Sequence, residues 1–306
     1  MPIVSLLSLL ALTQAQVAPP APTPVEAANA IARWLPGREA DARVAAIAYR
    51  LATAGIARCP LPAPAAGIVL EHLGQFEIAD RPHLALTQAL DRGPEVVVVV
   101  RSAPADTADI WPGDVVLATD GAAIPDDAEA NRPFDATRAR VRSDRLADLV
   151  TGSAGVPHTV TLLRRGERIT VRLDARPACP SRVHLARSDQ RNAYADGRHV
   201  FLTTGLLALL SGDDQLAFVI AHEMAHNILG HAALQRAGAS VRVEERDADR
   251  LGGELMLDAG YDPIVGVQAL TKLGGLDLGI RLFASHDSTP ARIAAMRQLV
   301  AARRAR

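Results

Sequence analysis

The sequence predicts an α+β fold in which a small β-rich domain is followed by a mainly helical domain. The β-rich domain is indicated by five consecutive valines at 96–100 and by alternating apolar and polar residues over 158–173, a pattern typical of a hairpin. The helical domain is indicated by a long apolar run of helix-forming residues over 213–230. The chain of 306 residues is long enough for both domains and a further N-terminal segment.

Residues 1–15 have the pattern of a secretory signal peptide. An apolar run over 3–12 is followed by Thr13-Gln14-Ala15, which offers a small-residue cleavage site, although the usual Lys or Arg does not precede the run. An uncleaved anchor is the alternative, but the run is shorter than a bilayer-spanning helix requires. No later run reaches that length. We therefore expect a periplasmic or secreted protein without an integral membrane segment after signal removal.

Residues 16–62 are predicted to form a Pro-rich leader and a helical segment. The leader over 17–24 is rich in Pro and Ala. Over 25–57 apolar residues recur at helical spacing, and Pro36-Gly37 interrupts them, so two helices are predicted. The apolar positions that define this spacing are Trp34, Val44, Ile47 and Leu51.

The apolar helix of the second domain carries the pattern His-Glu-x-x-His at 222–226. Residues four apart share one face of a helix, so His222 and His226 are able to bind one metal ion, and two imidazoles suit Zn²⁺. Glu223 lies at the edge of the same site, where it is placed to hold a water molecule.

The surroundings of this motif favour a functional helix over a chance match. Residues 211–214 supply capping oxygens and negative charge before the helix, and Gly230 is predicted to end it. A buried face is provided by Leu216, Val219 and Ile220. A core helix that also carries two histidines and a glutamate is costly unless those polar groups have a partner.

The third metal ligand has to come from outside this helix. The extended motif HExxHxxGxxH would need Gly at 229 and His at 232, where this chain has Leu229 and Ala232. A following helix offers Glu245 and Asp249, which are four apart and share a face. We assign Glu245 to the metal and Asp249 to a ligand histidine, which it orients through the second ring nitrogen.

Two further residues near the motif receive less prominent interpretations. Glu244 is interpreted as a solvated charge. His231 is interpreted as a surface histidine or as a neighbour that supports a ligand, rather than as a ligand itself.

At this point the residues resemble a known family. The motif at 222–226 followed by the segment 245–252 is similar to the gluzincin peptidases that include the heat-shock protease HtpX, the CAAX prenyl protease and their soluble periplasmic relatives, peptidase family M48. The resemblance extends to the segments 192–207, 260–263 and 285–293. In the family, the segment that corresponds to 192–207 is a β-strand that edges the active-site cleft and leads into a helix.

The resemblance implies a mainly helical zincin metallopeptidase domain with a short edge β-sheet over 179–306, and one Zn²⁺ per chain. It implies that the metal ligands are His222, His226 and Glu245, that the catalytic residues are Glu223, His286 and Arg292, and that Asp249 supports a ligand. In relatives, the histidine that matches His286 either stabilises the oxyanion or plugs the site, and the role of Arg292 is electrostatic or structural. Asp287 departs from the family, which usually has Pro there.

The β-rich domain, over 63–178, resembles bacterial PDZ domains through the segment 102–121, and the hairpin over 158–173 is the usual close of such domains. Residues 125–142 are interpreted as an inserted loop, and 67–70 as a candidate carboxylate-binding loop. If the domain binds a peptide ligand, it is expected to add the peptide as a strand. The alternative is a rigid spacer or lid beside the peptidase.

Cys59 and Cys179 lie at the two edges of this domain, and they are the two cysteines of the chain. In an exported protein such a pair favours a disulfide. We predict that they pair and clip together the ends of the domain. Closing a loop of that length stabilises a protein by about 4–5 kcal/mol in the chain-entropy model.

Composition excludes one class of function and leaves the others open. With 33 basic and 34 acidic residues and few aromatic ones, the chain offers no basic stripe for nucleic acid. The resemblance to the gluzincin peptidases implies a zinc-dependent endopeptidase whose partners are polypeptides, acting on unfolded or misassembled envelope proteins in protein quality control. The alternative is an autoinhibited protease, or a chaperone-like binding module with a fully coordinated zinc and PDZ-type peptide binding.

Overall fold

The computed structural model describes residues 32–236, 240–273 and 287–305. The predicted signal segment, the predicted leader over 17–24 and His286 lie outside the described residues. The described part has an α+β fold, as predicted. Within it, no helix combines the length and the apolar character that crossing a membrane requires.

The strands of the described residues are β1 (Ala32–Trp34), β2 (Ala63–Ala65), β3 (Ile68–Glu71), β4 (Glu95–Val100), β5 (Val115–Thr119), β6 (Ala122–Ala123), β7 (His158–Arg164), β8 (Glu167–Leu173), β9 (Arg176–Ala178), β10 (Arg182–Ala186), β11 (Ala193–Ala195) and β12 (His199–Thr203). The α-helices are α1 (Glu39–Ala54), α2 (Arg81–Gln88), α3 (Pro104–Thr107), α4 (Ala136–Thr151), α5 (Thr204–Leu207), α6 (Asp213–Ile228), α7 (His231–Arg236), α8 (Val241–Asp258), α9 (Pro263–Gly266), α10 (Ala269–Leu273) and α11 (Thr289–Arg304).

A seven-stranded sheet forms the β-rich region. Its strand order is β1-β4-β5-β7-β8, with β3 paired to β4 and β6 paired to β5. The predicted valine strand is β4, and all of its residues are buried. The predicted hairpin is β7–β8, whose turn residues Arg165 and Gly166 both have positive φ angles, the arrangement that two-residue hairpin turns of type I′ require.

A second sheet, of three strands, lies beside the helices that carry the candidate site. Its central strand β12 pairs parallel to β10 and antiparallel to β11. The short strand β11 is therefore an edge, and it contacts α6. The side chain of Thr203 accepts a hydrogen bond from the main chain of Leu206 and so caps α5. A strand that leads into a helix was predicted for this segment from the family resemblance.

The largest hydrophobic core lies in the helical region, around α6. It includes residues of α1, α6, α8 and α11, together with the two cysteines. Helix α6 is buried along most of its length, because α1, α8, α9 and β11 all contact it. The helix that carries the His-Glu-x-x-His motif is thus the centre of this core rather than a surface element.

Helix α8 packs against α6 at a distance that glycine makes possible. A Cβ atom at Gly252 would lie 3.1 Å from the main-chain carbon of Ala221 and from the main-chain nitrogen of His222. Contacts that short are tighter than ordinary side-chain packing allows, so a larger residue would push the helices apart. Gly252 therefore sets the spacing of the two helices at the level of the motif.

The prediction of two N-terminal helices is wrong for its first part. Ala32–Trp34 is the strand β1, which pairs antiparallel with Val98–Val100 of β4. At Val98–Val100, β4 has main-chain donors and acceptors with which β1 pairs. A helix in place of β1 would leave these groups unsatisfied. Only the second predicted helix, α1, is present among the described residues, and it begins two residues after Pro36-Gly37.

The interpretation of 125–142 as an inserted loop is wrong for its second half. Helix α4 begins at Ala136, and the Asp135 side chain accepts a hydrogen bond from the main chain of Arg138 at 2.8 Å, which caps it. Its many charges concealed an apolar stripe, since Ala139, Leu146 and Val150 are buried on one face.

Helix α4 also connects the β-rich region to the small sheet. Asp144 of this helix accepts hydrogen bonds from Arg182 of β10 at 2.5 Å and contacts the ring of His199 at the start of β12 at 2.9 Å. The other ring nitrogen of His199 lies 3.0 Å from Asp196 in the β11–β12 turn. His199 therefore connects α4 with the turn between β11 and β12.

The predicted disulfide between Cys59 and Cys179 is present, with Cα atoms 5.4 Å apart. Both cysteines are buried in the core of the helical region. Next to them, Ala63–Ala65 pairs antiparallel with Arg176–Ala178. The ribbon and the disulfide together join the two ends of the β-rich region and attach them to the helices.

Glu95 at the start of β4 provides a test of this packing. It is buried in register opposite Glu71 of β3. Burial and, to a smaller extent, the charge of Glu71 raise the pKa of Glu95, Arg38 opposes both, and the resulting pKa is about 7. Like charges directly opposite each other destabilise a sheet.

We predict that Glu95→Gln increases the free energy of unfolding at pH 8 and leaves it unchanged at pH 4.5. Because the folded pKa lies above the ordinary one, the charged form penalises the fold, and the penalty grows as the pH rises from 4.5 to 7. Its upper limit is about 3 kcal/mol. Urea unfolding of both proteins across this pH range measures the difference. A difference that does not change with pH would contradict the prediction.

Candidate metal centre

The helix that carries the motif starts differently from the prediction. Gly212 occupies the N-cap position and no side chain caps the helix. The Asp213 carboxylate accepts a hydrogen bond from Arg43 at 2.7 Å, and the Asp214 carboxylate accepts one from the main chain of Asp262 at 2.8 Å. The predicted capping oxygens are thus used in tertiary contacts, while their negative charge still lies at the positive end of the helix dipole.

Three potential metal ligands converge between α6 and α8. The Nε2 atoms of His222 and His226 lie 3.2 Å apart. Oε2 of Glu245 lies 3.2 Å from the first of these nitrogens and 3.4 Å from the second. The structure thus brings together the three residues that the sequence assigned to a metal, and they form a group of donors able to hold one ion.

These distances fit a tetrahedrally coordinated metal ion. Ligand bonds of about 2.0–2.1 Å at tetrahedral angles place the ligand atoms about 3.3 Å from one another. The three observed separations lie between 3.2 and 3.4 Å. Electron-rich nitrogen and oxygen atoms at this separation repel each other unless protons or a cation lie among them, so the arrangement suits a divalent cation.

Asp249, predicted to orient a ligand histidine, contacts the ring of His222. Its Oδ1 atom lies 3.0 Å from Nδ1 of His222. When Nδ1 carries the ring proton and donates a hydrogen bond to Asp249, Nε2 keeps its lone pair for a metal. Burial by itself lowers the pKa of His222, but the hydrogen bonds with Asp249 and Glu245 outweigh it and raise the pKa to about 9.

Arg292 of α11 acts on the site through Asp249. Its guanidinium donates two hydrogen bonds to the Asp249 carboxylate, at 2.6 and 2.7 Å; Arg292 is buried, and Asp249 is partly buried. Although burial raises the pKa of Asp249, the hydrogen bonds from His222 and Arg292 hold it well below its usual range. Arg292 was predicted as a catalytic residue, and in the described structure it contacts the support of a ligand rather than the metal donors.

Glu223 is buried beside the three donors, at 3% exposure. Burial raises the pKa of Glu223, and the charge of Glu245 adds to this effect. The neighbouring side chains of His222, His226 and Arg292 act in the opposite direction and lower the pKa of Glu223. A carboxylate with a raised pKa is suited to accept and release a proton near neutral pH.

His231 contacts the other histidine of the motif. Its Nδ1 atom lies 2.8 Å from Nδ1 of His226, and the residue is buried. Helix α6 ends at Ile228, and Gly230, with φ of +70°, turns the chain so that His231 starts α7 directly below His226. The structure rules out the surface interpretation of His231 and agrees with a supporting position.

Glu244 is buried, at 4% exposure, and the interpretation of a solvated charge is wrong. Its charge opposes the effect of burial on His231: burial lowers the pKa of His231, His226 lowers it further, and Glu244 raises it. The sequence contained a signal for this burial, because Glu244 shares the spacing of Ala248, Leu251 and Leu255 on the inner face of α8.

Asp287, just before α11, contacts α8 near the candidate site. The side chain of Asp287 accepts two hydrogen bonds from Arg246, at 2.6 and 3.0 Å. Arg246 is next to the metal donor Glu245 in the chain. His286, which precedes Asp287, lies outside the described residues, so its predicted role stays a prediction.

A family comparison agrees with this geometry. The model of Peptidase family M48 matches residues 160–241. The matched region contains the motif at 222–226 and ends before Glu245. The match supports the M48 family and, with it, a metallopeptidase. No curated protein matches the chain.

Among solved structures, the chain is similar to one described as HtrA-type protease AlgW with decapeptide, at 19% identity and a TM-score of 0.28, over 38% of this chain and 30% of that chain. It is also similar to HtrA-type protease AlgW with tripeptide, at 20% identity and a TM-score of 0.25, over 38% of this chain and 32% of that chain. The chain spans about a third of the length of these proteins, and we base no conclusion on likenesses of this size.

We predict that Asp249→Asn weakens the binding of a divalent metal by about 10-fold to 100-fold, the usual effect of losing a charged partner of a ligand histidine. The amide still accepts a hydrogen bond from His222, but it lacks the charge that holds both this ring and Arg292. Competition with a chelator, with Zn²⁺ and with Co²⁺, measures the affinity.

Asp247→Asn is the matched control for this prediction. It makes the same chemical change on the same helix, at a half-exposed side chain that forms an ion pair with Arg250 and contacts none of the three donors. Equal affinities of the two variants would contradict the proposed support of His222 by Asp249.

Proposed function

We propose that this protein is a zinc-dependent endopeptidase that hydrolyses peptide bonds in unfolded or misassembled envelope proteins. The observation that carries the proposal is the convergence of His222, His226 and Glu245 at tetrahedral spacing, with Glu223 buried beside them. The agreement of two histidines and one carboxylate with the ligand preferences of catalytic zinc sites supports the choice of metal.

Zn²⁺ held by these three residues would lower the pKa of a water molecule and polarise the scissile carbonyl. Glu223 accepts the proton of the attacking water, because its carboxylate is the one in the site that is neither an assigned ligand nor a partner of a ligand. It then passes this proton to the nitrogen of the leaving amine. The raised pKa of Glu223 favours both steps at neutral pH.

The edge strand β11 supports a polypeptide as the substrate. It lies at the edge of the small sheet, contacts the motif helix α6, and has an exposed aromatic side chain at Tyr194. An extended polypeptide is able to pair with such an edge through main-chain hydrogen bonds, which do not depend on its sequence. This mode of binding suits unfolded substrates, because folded proteins rarely present a free extended segment.

The Cys59–Cys179 disulfide supports a location outside the reducing cytosol. Stable disulfides form in the periplasm and in secreted proteins, and both sulfurs are buried here. Together with the predicted signal segment over 1–15, this agrees with a periplasmic or secreted enzyme and with envelope proteins as its substrates.

For the β-rich region we propose a PDZ-like role in peptide binding. Strand β3 lies at the edge of the large sheet, where it pairs with β4 on one side, and α4 contacts it. A peptide ligand would add to β3 as a further strand. The alternative is a rigid spacer beside the peptidase, and the attachment of this region to the helices through the disulfide and His199 is compatible with either role.

A second candidate function, an autoinhibited peptidase, is favoured by the contact between Asp287 and Arg246. This ion pair holds the residue after His286 against α8, one position from Glu245 in the chain. In this candidate His286 occupies the position for water until a partner displaces it. A chaperone-like binding module with a structural zinc is the third alternative, and the buried Glu223 argues against it, because a structural zinc has no use for a neighbouring base.

We predict that Glu223→Gln lowers the rate of casein cleavage by at least about 10²-fold, since general-base catalysis typically contributes that much. The variant should bind Zn²⁺ as the wild type does, because Glu223 is not among the three donors. Peptide release from casein gives the rate, and metal analysis of the purified proteins gives the zinc content. Glu254→Gln, on the outer part of α8, serves as the control.

Cleavage that persists in Glu223→Gln would contradict the role of Glu223 as the general base. Zinc in both proteins without cleavage by either would favour the autoinhibited peptidase or the binding module. His286→Ala then separates these two, because it restores cleavage only in the autoinhibited peptidase.

A further inference from the structure

His231 has the most unusual contact near the candidate site. Its Nδ1 atom faces Nδ1 of His226 at 2.8 Å, which is hydrogen-bond distance between two ring nitrogens of the same kind. The ring planes are nearly perpendicular, at 75°, and the ring centres lie 4.9 Å apart. Both side chains are largely shielded from water, so this contact is a hydrogen bond within the protein.

The position of the proton in this contact follows from the role of His226. A single proton fits between two nitrogens at this distance, and one ring must donate while the other accepts. If Nε2 of His226 is to bind a metal, that atom carries no proton, and the neutral ring then carries its proton on Nδ1. His226 is therefore the donor, and Nδ1 of His231 is the acceptor.

We propose that His231 is the positioning residue that holds His226 in its metal-binding tautomer and orientation. This inference rests on the proposed function and deepens it. In this arrangement the two ligand histidines have hydrogen-bond acceptors of different charge. The Asp249 carboxylate accepts a hydrogen bond from His222, and the neutral ring of His231 accepts one from His226. A neutral acceptor fixes the tautomer without adding another negative charge to a site that already contains Glu245 and Asp249.

The backbone explains why a residue five positions after His226 is able to reach its ring. The last helical hydrogen bonds of α6 are followed by Gly230 in the left-handed conformation, with φ of +70°. Residues with a side chain adopt that conformation at a cost, whereas glycine adopts it freely. Helix α7 starts at His231, directly after this turn, and within the described residues no atom lies within 4 Å of the position that a Cβ of Gly230 would take.

Three variants of the full-length, zinc-loaded protein test the inference. His231→Asn places its carbonyl oxygen where Nδ1 of the histidine lies and keeps an acceptor for His226. His231→Gln is also an amide, but its longer side chain moves the oxygen away from that position. His231→Leu removes the acceptor and replaces the ring with an apolar side chain. His158→Leu, in the large sheet and bonded only to the main chain of Val150 among the described contacts, controls for the loss of a histidine.

Zinc affinity and the tautomer of His226 are the two readouts. We expect His231→Gln and His231→Leu to bind Zn²⁺ about 10-fold to 100-fold more weakly in competition with a chelator, the usual effect of losing such a support. His231→Asn should stay within about threefold of the wild type, as should His158→Leu. Long-range proton–nitrogen spectra of protein labelled with ¹⁵N-histidine should show His226 protonated at Nδ1 in the wild type and in His231→Asn.

The outcomes separate this inference from the proposed function. A wild type that binds Zn²⁺, with equal affinity in His231→Asn and His231→Gln, would overturn the role of His231 and leave the zinc centre intact. Protonation of His226 at Nε2 in the zinc-loaded protein would overturn it as well. A wild type that binds no Zn²⁺ would overturn the proposed function and, with it, this inference. If His231→Leu does not fold, the comparison of the two amide variants still decides.

Discussion

The close packing of α6 against α8 is the constraint on which the candidate metal centre depends. At Gly252, a Cβ atom would lie 3.1 Å from main-chain atoms of α6, so glycine is what allows the two helices to come this near. Glu245 and Asp249 precede Gly252 by seven and three residues and therefore lie on the same face of α8, about two turns and one turn away. The spacing that Gly252 sets is thus the spacing at which Glu245 reaches both histidines and Asp249 reaches the far side of His222.

Such a site places several charges inside a hydrophobic core, where each of them needs a partner. The partners form a chain that runs outward from the donors: Asp249 pairs with His222, and Arg292 of α11 pairs with Asp249. The C-terminal helix therefore contributes to the centre although it supplies none of the three donors. On the other side, His231 meets His226 with a neutral ring. The ligands are held in place by residues from α7, α8 and α11, so the whole helical region determines the geometry.

The sequence predicted those parts of this arrangement that depend on local spacing. Positions four apart on a helix identified His222 with His226 and Glu245 with Asp249, and alternation identified the β7–β8 hairpin. Other features depend on distant partners, which local patterns do not encode. Trp34 lies in a strand because it pairs with Val98 of β4. Asp213 and Asp214 do not cap the helix because their carboxylates bind Arg43 and the main chain of Asp262. The predictions for Glu244 and for the α4 segment were wrong for a different reason. Both contain charged residues that share helical spacing with buried apolar residues, and the charges were taken to indicate exposure.

A crystal structure of the purified protein, with anomalous scattering measured on both sides of the zinc absorption edge, tests the central claim most directly. The account predicts one zinc peak between α6 and α8, bonded to Nε2 of His222, Nε2 of His226 and a carboxylate oxygen of Glu245 at about 2.0–2.2 Å. It also predicts that Asp249 and His231 remain on the Nδ1 atoms of the two histidines. A site without zinc, or a zinc bound directly by Asp249 or His231, would contradict it.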